Sequence, residues 1–480
     1  MTKSLMVLGT ASNAGKSLLT AGLCRIFRQD GLSAAPFKAQ NMALNSFITR
    51  EGLEIGRAQA MQAEAAGIEP TSDMNPILLK PMTDVGCQVI VDGEVYCNTD
   101  AVGYYAQKKE VAARALAAFE RLAAKHDVIV LEGAGSPAEI NLRDNDIVNL
   151  AMARAAGAPC LLAGDIDRGG VFASIAGTQL LLTEDERALL KGIVINKFRG
   201  DVTLLEPGLR MIEEITKIPV VGVVPYMRVD IDDEDSLTEH LRGRSAKDEG
   251  RDVAVVRLPH LSNFTDFAAL ERMDGVRVRY VERAADLGSP DLIVLPGTKN
   301  TMGDLRVIRE NGLEAAILAR NAAGTPVFGV CGGYQMLGEM LSDPCGVEGG
   351  GEMPGMGLLP MRTVFSERKT RTRVSGAIRP LDGGPFASMS GRAIEGYEIH
   401  MGETTGSAPP FADITDAVTG AASADGAVLE NVAGTYVHGV FDALVPGYDA
   451  YRASQYDLLA DTLRANLDMD LIYEIMNKGV

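Results

Sequence analysis

The chain has 480 residues, room for about three domains of ordinary size or two large ones. It is 46% hydrophobic and 23% charged, the balance of a globular protein. With 46 basic and 64 acidic side chains the net charge is −18, a field that repels nucleic-acid phosphates and anionic lipid and excludes a general binder of either.

Six cysteines, none in a C-x-x-C pair or at zinc-finger spacing, read as free thiols in a reducing compartment. Lys3 and the short apolar run Ser4–Leu8 imitate the start of a signal peptide but lead into a glycine-rich loop instead of a cleavage site. No apolar run approaches 18 residues. A cytoplasmic protein without a membrane span is expected.

From the N-terminus to Pro225 one grammar repeats: a short apolar run, a Gly-rich turn, then Ala/Leu-rich helical text. The runs are LMVLG, DVIVLEG, PCLLAGD, KGIVIN and IPVVGVVP. Uniformly apolar runs of this length predict strands buried on both faces, in a doubly wound, mostly parallel α/β sheet. Gly9-Thr10-Ala-Ser-Asn13-Ala-Gly15-Lys16-Ser17 follows the first run and opens helical text at Leu18–Gln29. Its backbone N–H groups can cradle phosphates, Lys16 can reach the β and γ oxygens, and Ser17 can ligate Mg²⁺. Five residues separate Gly9 from Gly15, one more than in the common phosphate loop. Glu132, ending DVIVLE, is the expected second metal ligand, and Asn196, ending KGIVIN, is placed to read a nucleobase.

Three polar segments stand where strand ends should converge on that loop. The first runs from Phe37 to Ser46 and includes Lys38, Gln40, Asn41 and Asn45. The second is Asn141–Asp146, and the third contains Asp165, Asp167 and Arg168. Each alone reads as a helix cap; together they predict a large, charged substrate, with Asp146 beside the γ-phosphate.

Residues 228–251 are dense in charge and read as a linker. The α/β grammar restarts at Asp252 with DVAVVRL, VRVRYV, DLIVLPG and PVFGVCGG. The expected divisions are 1–227, 228–251, 252–445 and a helical tail at 446–480. In Pro326–Gln335 a strand, a Gly-flanked cysteine and a helix follow one another. Such an elbow lifts Cys331 off the sheet edge, lowers its thiol pKa at the helix end, and offers N–H groups to an oxyanion. Gly332, Gly333 and Gln335 after it, and Gly297 at the end of DLIVLPG, are the expected oxyanion and substrate-amide positions. Of the histidines at 126, 240, 260, 400 and 438, His438 is favoured as base because it ends strand-like text before Gly439. His400 is its rival.

The Gly297, Cys331 and His438 elements resemble class I glutamine amidotransferases, and the five-residue loop spacing resembles dethiobiotin synthetase. Joined in this order with FKAQNMALNS, DIDRGGVFAS, PGTKNT, GVCGGYQMLG and EGYEIHMG, they closely resemble the cobyric acid synthase family. That resemblance implies ATP, Mg²⁺ and glutamine, and amidation of the b, d, e and g carboxylates of the corrinoid adenosylcobyrinic acid a,c-diamide. Class I amidotransferases carry Glu two residues after the histidine, whereas this chain has Val440. A Cys331–His438 dyad is therefore expected, its orienting group open. The sequence does not specify the oligomeric state, and a homo-oligomer is compatible with it. The alternatives are a cobyrinic acid a,c-diamide synthase, against which FKAQNMALNS stands, and a partition-type ATPase switch, which leaves Cys331 without a role.

Overall fold

The computed structural model describes residues 2–81, 86–231 and 250–480. Most of the predicted linker, with His240, lies outside them. Two units separate: Met1–Ala43, Glu54–Asp235 and Asp449–Val480 form one, and Leu44–Leu53 with Ser236–Tyr448 form the other.

The first unit is built on six parallel strands in the order Val220–Pro225, Leu190–Phe198, Cys160–Asp165, Lys3–Gly9, Val128–Glu132, Ala34–Phe37. Alternation along each strand feeds two cores. Met6, Leu8, Ile129 and Leu131 enter one cluster, and Leu5, Val7, Val128 and Val130 enter the other. This is why the strand text is uniformly apolar. The helix predicted after the glycine-rich loop exists as Lys16–Gln29, and Ala101–Ala123 is a further long helix of this unit. A smaller sheet of Gln40–Met42, Ile77–Pro81, Gly86–Val91 and Glu94–Asp100 had no counterpart in the sequence reading.

The C-terminal helices, Tyr448–Asn466 and Met469–Lys478, bring Leu459, Leu463 and Ile472 into the core of this first unit. Gly22 makes room for them, since a Cβ there would sit 2.2 Å from Leu463 Cδ1. Arg25–Asp457 at 2.8 Å and Arg464–Asp30 at 2.9 Å tie the same surfaces.

In the second unit the sheet order is Val276–Val281, Arg251–Val256, Leu292–Leu295, Val327–Val330, Val432–Thr435, Ala427–Leu429. The first five strands are parallel and the last antiparallel. Beyond Met361 a long antiparallel pair, Met361–Ile378 with Ala393–Gly406, anchors a second sheet. Among the described residues no helix is long and apolar enough to cross a membrane.

Candidate active sites

In the first unit the loop Gly9–Ser17 joins strand to helix as expected. Asn13 (φ 60°) and Gly15 (φ 89°) adopt left-handed backbone, and a Cβ on Gly15 would lie 2.1 Å from Asn196 Nδ2. Only glycine fits there. Asn196 donates its amide to Ala14 O at 2.8 Å, so here it braces the loop. Lys197 does the same from the next position, reaching Asn13 O at 2.7 Å and Asp165 at 3.2 Å. Thr10 N–H donates to Ala163 O at 2.9 Å. Lys16 Nζ donates to the carbonyls of Ala11 and Gly135, each at 3.1 Å.

Glu132 is 1% exposed. Its Oε1 accepts from Ser17 Oγ and Lys38 Nζ, both at 2.9 Å, and its Oε2 from Gln62 Nε2 at 2.6 Å. Burial alone would raise its pKa, but Lys38, Gln62 and Lys16 outweigh burial and hold it below the usual carboxylate value. An ionised carboxylate beside a hydroxyl is a hard-oxygen pair of the kind Mg²⁺ accepts. No cluster of three or more His, Cys, Asp or Glu suited to a metal occurs among the described residues, and Mg²⁺ at phosphates typically takes only one or two protein carboxylates. The residues fit that ion.

The other expected substrate residues scatter. Gln40 accepts from Tyr104 OH at 2.6 Å, and Asn41 donates to Gln59 at 3.2 Å. Asp165 faces Lys197, with Arg168 3.7 Å away, and Asp167 pairs with Arg199 at 2.8 Å. Asp146 directs both carboxylate oxygens to backbone N–H groups, those of Val148, Asn149 and Ala151 at 2.9–3.0 Å. That is the geometry of a cap. Asn45 belongs to the second unit.

In the second unit Cys331 stands between strand Val327–Val330 and helix Gly332–Met336 at φ 50°, ψ −110°. For a residue with a Cβ this conformation costs of order 1–3 kcal/mol, a strain typical of reactive elbows. The surrounding glycines admit the tight turn, since a Cβ on Gly333 would lie 2.1 Å from Leu295 O. Gly297 lies close by, where a Cβ would come 3.0 Å from His438 Cε1. Gln335 is already committed, bonded by Thr301 at 2.9 Å and donating to Met401 O at 3.0 Å and Tyr436 OH at 3.2 Å.

His438 is fully buried. Its Nδ1 lies 2.7 Å from Asp266 Oδ2, and Gly439 N–H donates to the other Asp266 oxygen at 3.0 Å. Burial pulls the imidazole pKa down, yet Asp266 and the neighbouring Cys331 prevail and push it up to about 10; the Cys331 thiol itself is directed to Ile399 O at 3.5 Å. Asp266 is the orienting group that sequence reasoning left open. It lies 172 residues from His438, in the short 3-10 helix Phe264–Phe267 that follows strand Arg251–Val256, and no local motif marks it. The other described histidines have partners of their own. His400 stacks on Tyr436, is bonded to Gly402 O at 3.1 Å, and is pulled down to about 4 mainly by burial. His260 pairs with buried Asp304 at 2.7 Å, and His126 with Ser33 at 2.8 Å.

Comparison with known proteins finds two domain families in the chain. Residues 252–444 match the CobB/CobQ-like glutamine amidotransferase domain, and residues 5–237 the CobQ/CobB/MinD/ParA nucleotide binding domain. The fold and the Cys331 elbow thus define a two-part enzyme, a nucleotide-binding domain followed by a glutamine amidotransferase domain. Three relatives share about half their residues with it. A cobyric acid synthase of Ruminiclostridium cellulolyticum is 53% identical over 100% of this chain and 98% of that protein. One of Lachnoclostridium phytofermentans is 51% identical over 100% of both chains. One of Citrobacter koseri is 51% identical over 100% of this chain and 99% of that protein. The chain belongs to the cobyric acid synthase family, glutamine-hydrolysing ligases of cobalamin biosynthesis.

Proposed function

We propose that the nucleotide-binding part, residues 1–227, uses ATP to activate side-chain carboxylates of a corrinoid, and that the part at 252–445 supplies the nitrogen from glutamine. The substrate is adenosylcobyrinic acid a,c-diamide and the groups amidated are its b, d, e and g carboxylates. Each carboxylate oxygen attacks the γ-phosphorus, ADP leaves, and the resulting acyl phosphate is displaced by ammonia with release of phosphate. Lys16 and the loop amides from Gly9 to Ser17 hold the phosphates where negative charge develops. Ser17 and Glu132 would hold Mg²⁺, which when bound neutralises phosphate charge. Lys38, beside Glu132, is positioned for the same phosphates or the attacking carboxylate, and Gln40, Asn41, Asp165, Asp167 and Arg168 would meet the corrinoid by exchanging the internal partners they hold here.

At the other site Cys331 loses its proton to His438 and attacks the glutamine side-chain carbonyl. The tetrahedral oxyanion collapses, His438 returns the proton to the leaving nitrogen, and ammonia departs to leave a thioester that water hydrolyses to glutamate. Amides at Gly297 and Gly332 are the proposed oxyanion donors. The observation that carries this reading is the buried Cys331–His438–Asp266 chain on a polypeptide that also holds a phosphate loop; a partition-type ATPase has no use for the first. We place the enzyme in the cytoplasm. The test is mass spectrometry of corrinoid products formed with ATP, Mg²⁺ and ¹⁵N-amide glutamine: the label counts the amides. A product gaining no label, or gaining it without ATP, overturns the scheme.

A further inference from the structure

One contact in the glutaminase unit serves no step of that chemistry. Asn263 stands in left-handed backbone at φ 54°, 4% exposed, with its Nδ2 3.3 Å from His438 Nε2. The orientation of this amide is fixed from its other end, because Asn263 Oδ1 accepts the Ser46 N–H at 3.2 Å. In the neutral form of His438, with Nδ1–H directed to Asp266, Nε2 carries the lone pair that must take the Cys331 proton, and an N–H of Asn263 is aimed at it. Proton transfer would leave two N–H donors facing each other, an arrangement that opposes the imidazolium.

The residues that hold Asn263 come from a distant stretch of sequence. Asn45 Oδ1 accepts the Asn263 N–H at 2.7 Å. Ser46 O accepts from Tyr397 OH at 3.2 Å, and the Tyr397 ring stacks on His438 at 5.1 Å. Asn45 and Ser46 are both buried. They therefore touch the surroundings of His438 twice, at its Nε2 through Asn263 and at its ring through Tyr397. Both ends of their segment, Leu44–Leu53, continue into the nucleotide-binding unit, at Ala43 and at Glu54. Lys38, on the phosphate-site carboxylate Glu132, lies seven residues upstream of Asn45.

We propose that Asn263 is a removable cap on the base: its amide occupies His438 Nε2, Asn45 and Ser46 hold it there, and a shift of their segment when the nucleotide-binding unit takes its substrates withdraws it. Asn263 and Asn45 are thus positioning residues that restrain glutamine hydrolysis until ammonia can be used. This rests on the glutaminase reading of Cys331.

Asn263→Gly is the cleanest variant, since glycine keeps a positive φ without strain and removes only the side chain. Without ATP or corrinoid, its glutamate release should rise about fivefold, the factor of one modest hydrogen bond. Alkylation of Cys331 by iodoacetamide should quicken in step, while amidation from ammonium chloride is unchanged. Asn45→Ala should act in the same direction, and the double variant should gain no more than the larger single effect, because both act through one contact. If either variant fails to fold, the other carries the test; a merely structural loss lowers hydrolysis and leaves alkylation no faster. Basal hydrolysis at or below wild type in a folded variant overturns the cap. A wild-type chain that releases glutamate no faster than Cys331→Ala overturns the glutaminase reading itself.

Discussion

The two units hold their reactive groups in opposite ways. In the glutaminase unit, Asp266 already holds His438 Nδ1, with Cys331 beside the imidazole, as the proposed chemistry requires. In the nucleotide-binding unit the ionic groups answer one another instead. Lys38 and Ser17 sit on Glu132, and Lys16 reaches the carbonyls of Ala11 and Gly135. A buried nucleophile is activated by neighbours fixed in advance, whereas a phosphate site must exchange its internal pairs for ligand contacts. Substitutions in the first should therefore act on chemistry alone, and those in the second on binding and chemistry together.

The strongest test of this contrast separates the two nitrogen sources. Cys331→Ala should lower glutamine-dependent amidation by about a thousandfold or more, since no other group replaces the nucleophile. Amidation from ammonia should stay near wild type. Lys16→Ala should do the reverse. Amidation should fall about a hundredfold with either nitrogen source, through loss of charge stabilisation at the phosphates, while glutamate release persists. Parallel rate assays with glutamine and with ammonium chloride check both, and a variant losing both activities equally would show that the two sites do not act independently.

Asp266 sharpens the comparison within the glutaminase unit. Asp266→Asn keeps the shape but removes the charge that raises His438, so glutamine hydrolysis should drop about a hundredfold or more, as for other carboxylates that orient a catalytic histidine. Stability should carry the same signature. A histidine raised to about 10 in the folded state contributes stability that is fully present below its unfolded value near 6.5. That contribution is lost as pH rises through 10. The difference in melting temperature between wild type and Asp266→Asn should accordingly be larger at pH 6 than above pH 10. An equal difference at both pH values would mean that Asp266 serves only as packing.

What was legible in the sequence follows the range of the interactions involved. The phosphate loop and the Cys331 elbow are local: spacing, glycines and flanking apolar runs specify them within about ten residues. The parallel sheets were legible because strands buried on both faces leave an unbroken apolar trace. Asp266 was not, because its role exists only once strands Arg251–Val256 and Val432–Thr435 lie in one sheet. The segment Phe37–Ser46 illustrates the limit. Its polar density was visible, yet the chain passes from one unit to the other at Ala43–Leu44, so Lys38 reaches Glu132 while Asn45 braces Asn263. Likewise, nothing in the mixed-charge text of the tail announced that Leu459 and Leu463 complete the core of the first unit.

The smallest effect belongs to Asp146, where sequence and structure point to different jobs. Polar density near strand ends suggested a carboxylate beside the γ-phosphate. In the structure its Oδ1 accepts from Val148 N at 3.0 Å and Asn149 N at 2.9 Å, and its Oδ2 from Ala151 N at 3.0 Å. Asn149 in turn clasps Ala134, accepting its N–H at 3.0 Å and donating to its carbonyl at 2.9 Å, two residues beyond Glu132. Asp146 thus supports the phosphate site at one remove, through backbone. Asparagine retains one acceptor oxygen but turns an NH₂ toward the N–H of Ala151, so Asp146→Asn forfeits part of the cap, worth about 1 kcal/mol. The melting temperature should fall by a few degrees at most. Amidation with glutamine or ammonia should stay within about threefold of wild type, the scale of a cap-sized perturbation. A loss beyond tenfold at unchanged melting temperature would restore the carboxylate to the substrate site and make the cap incidental.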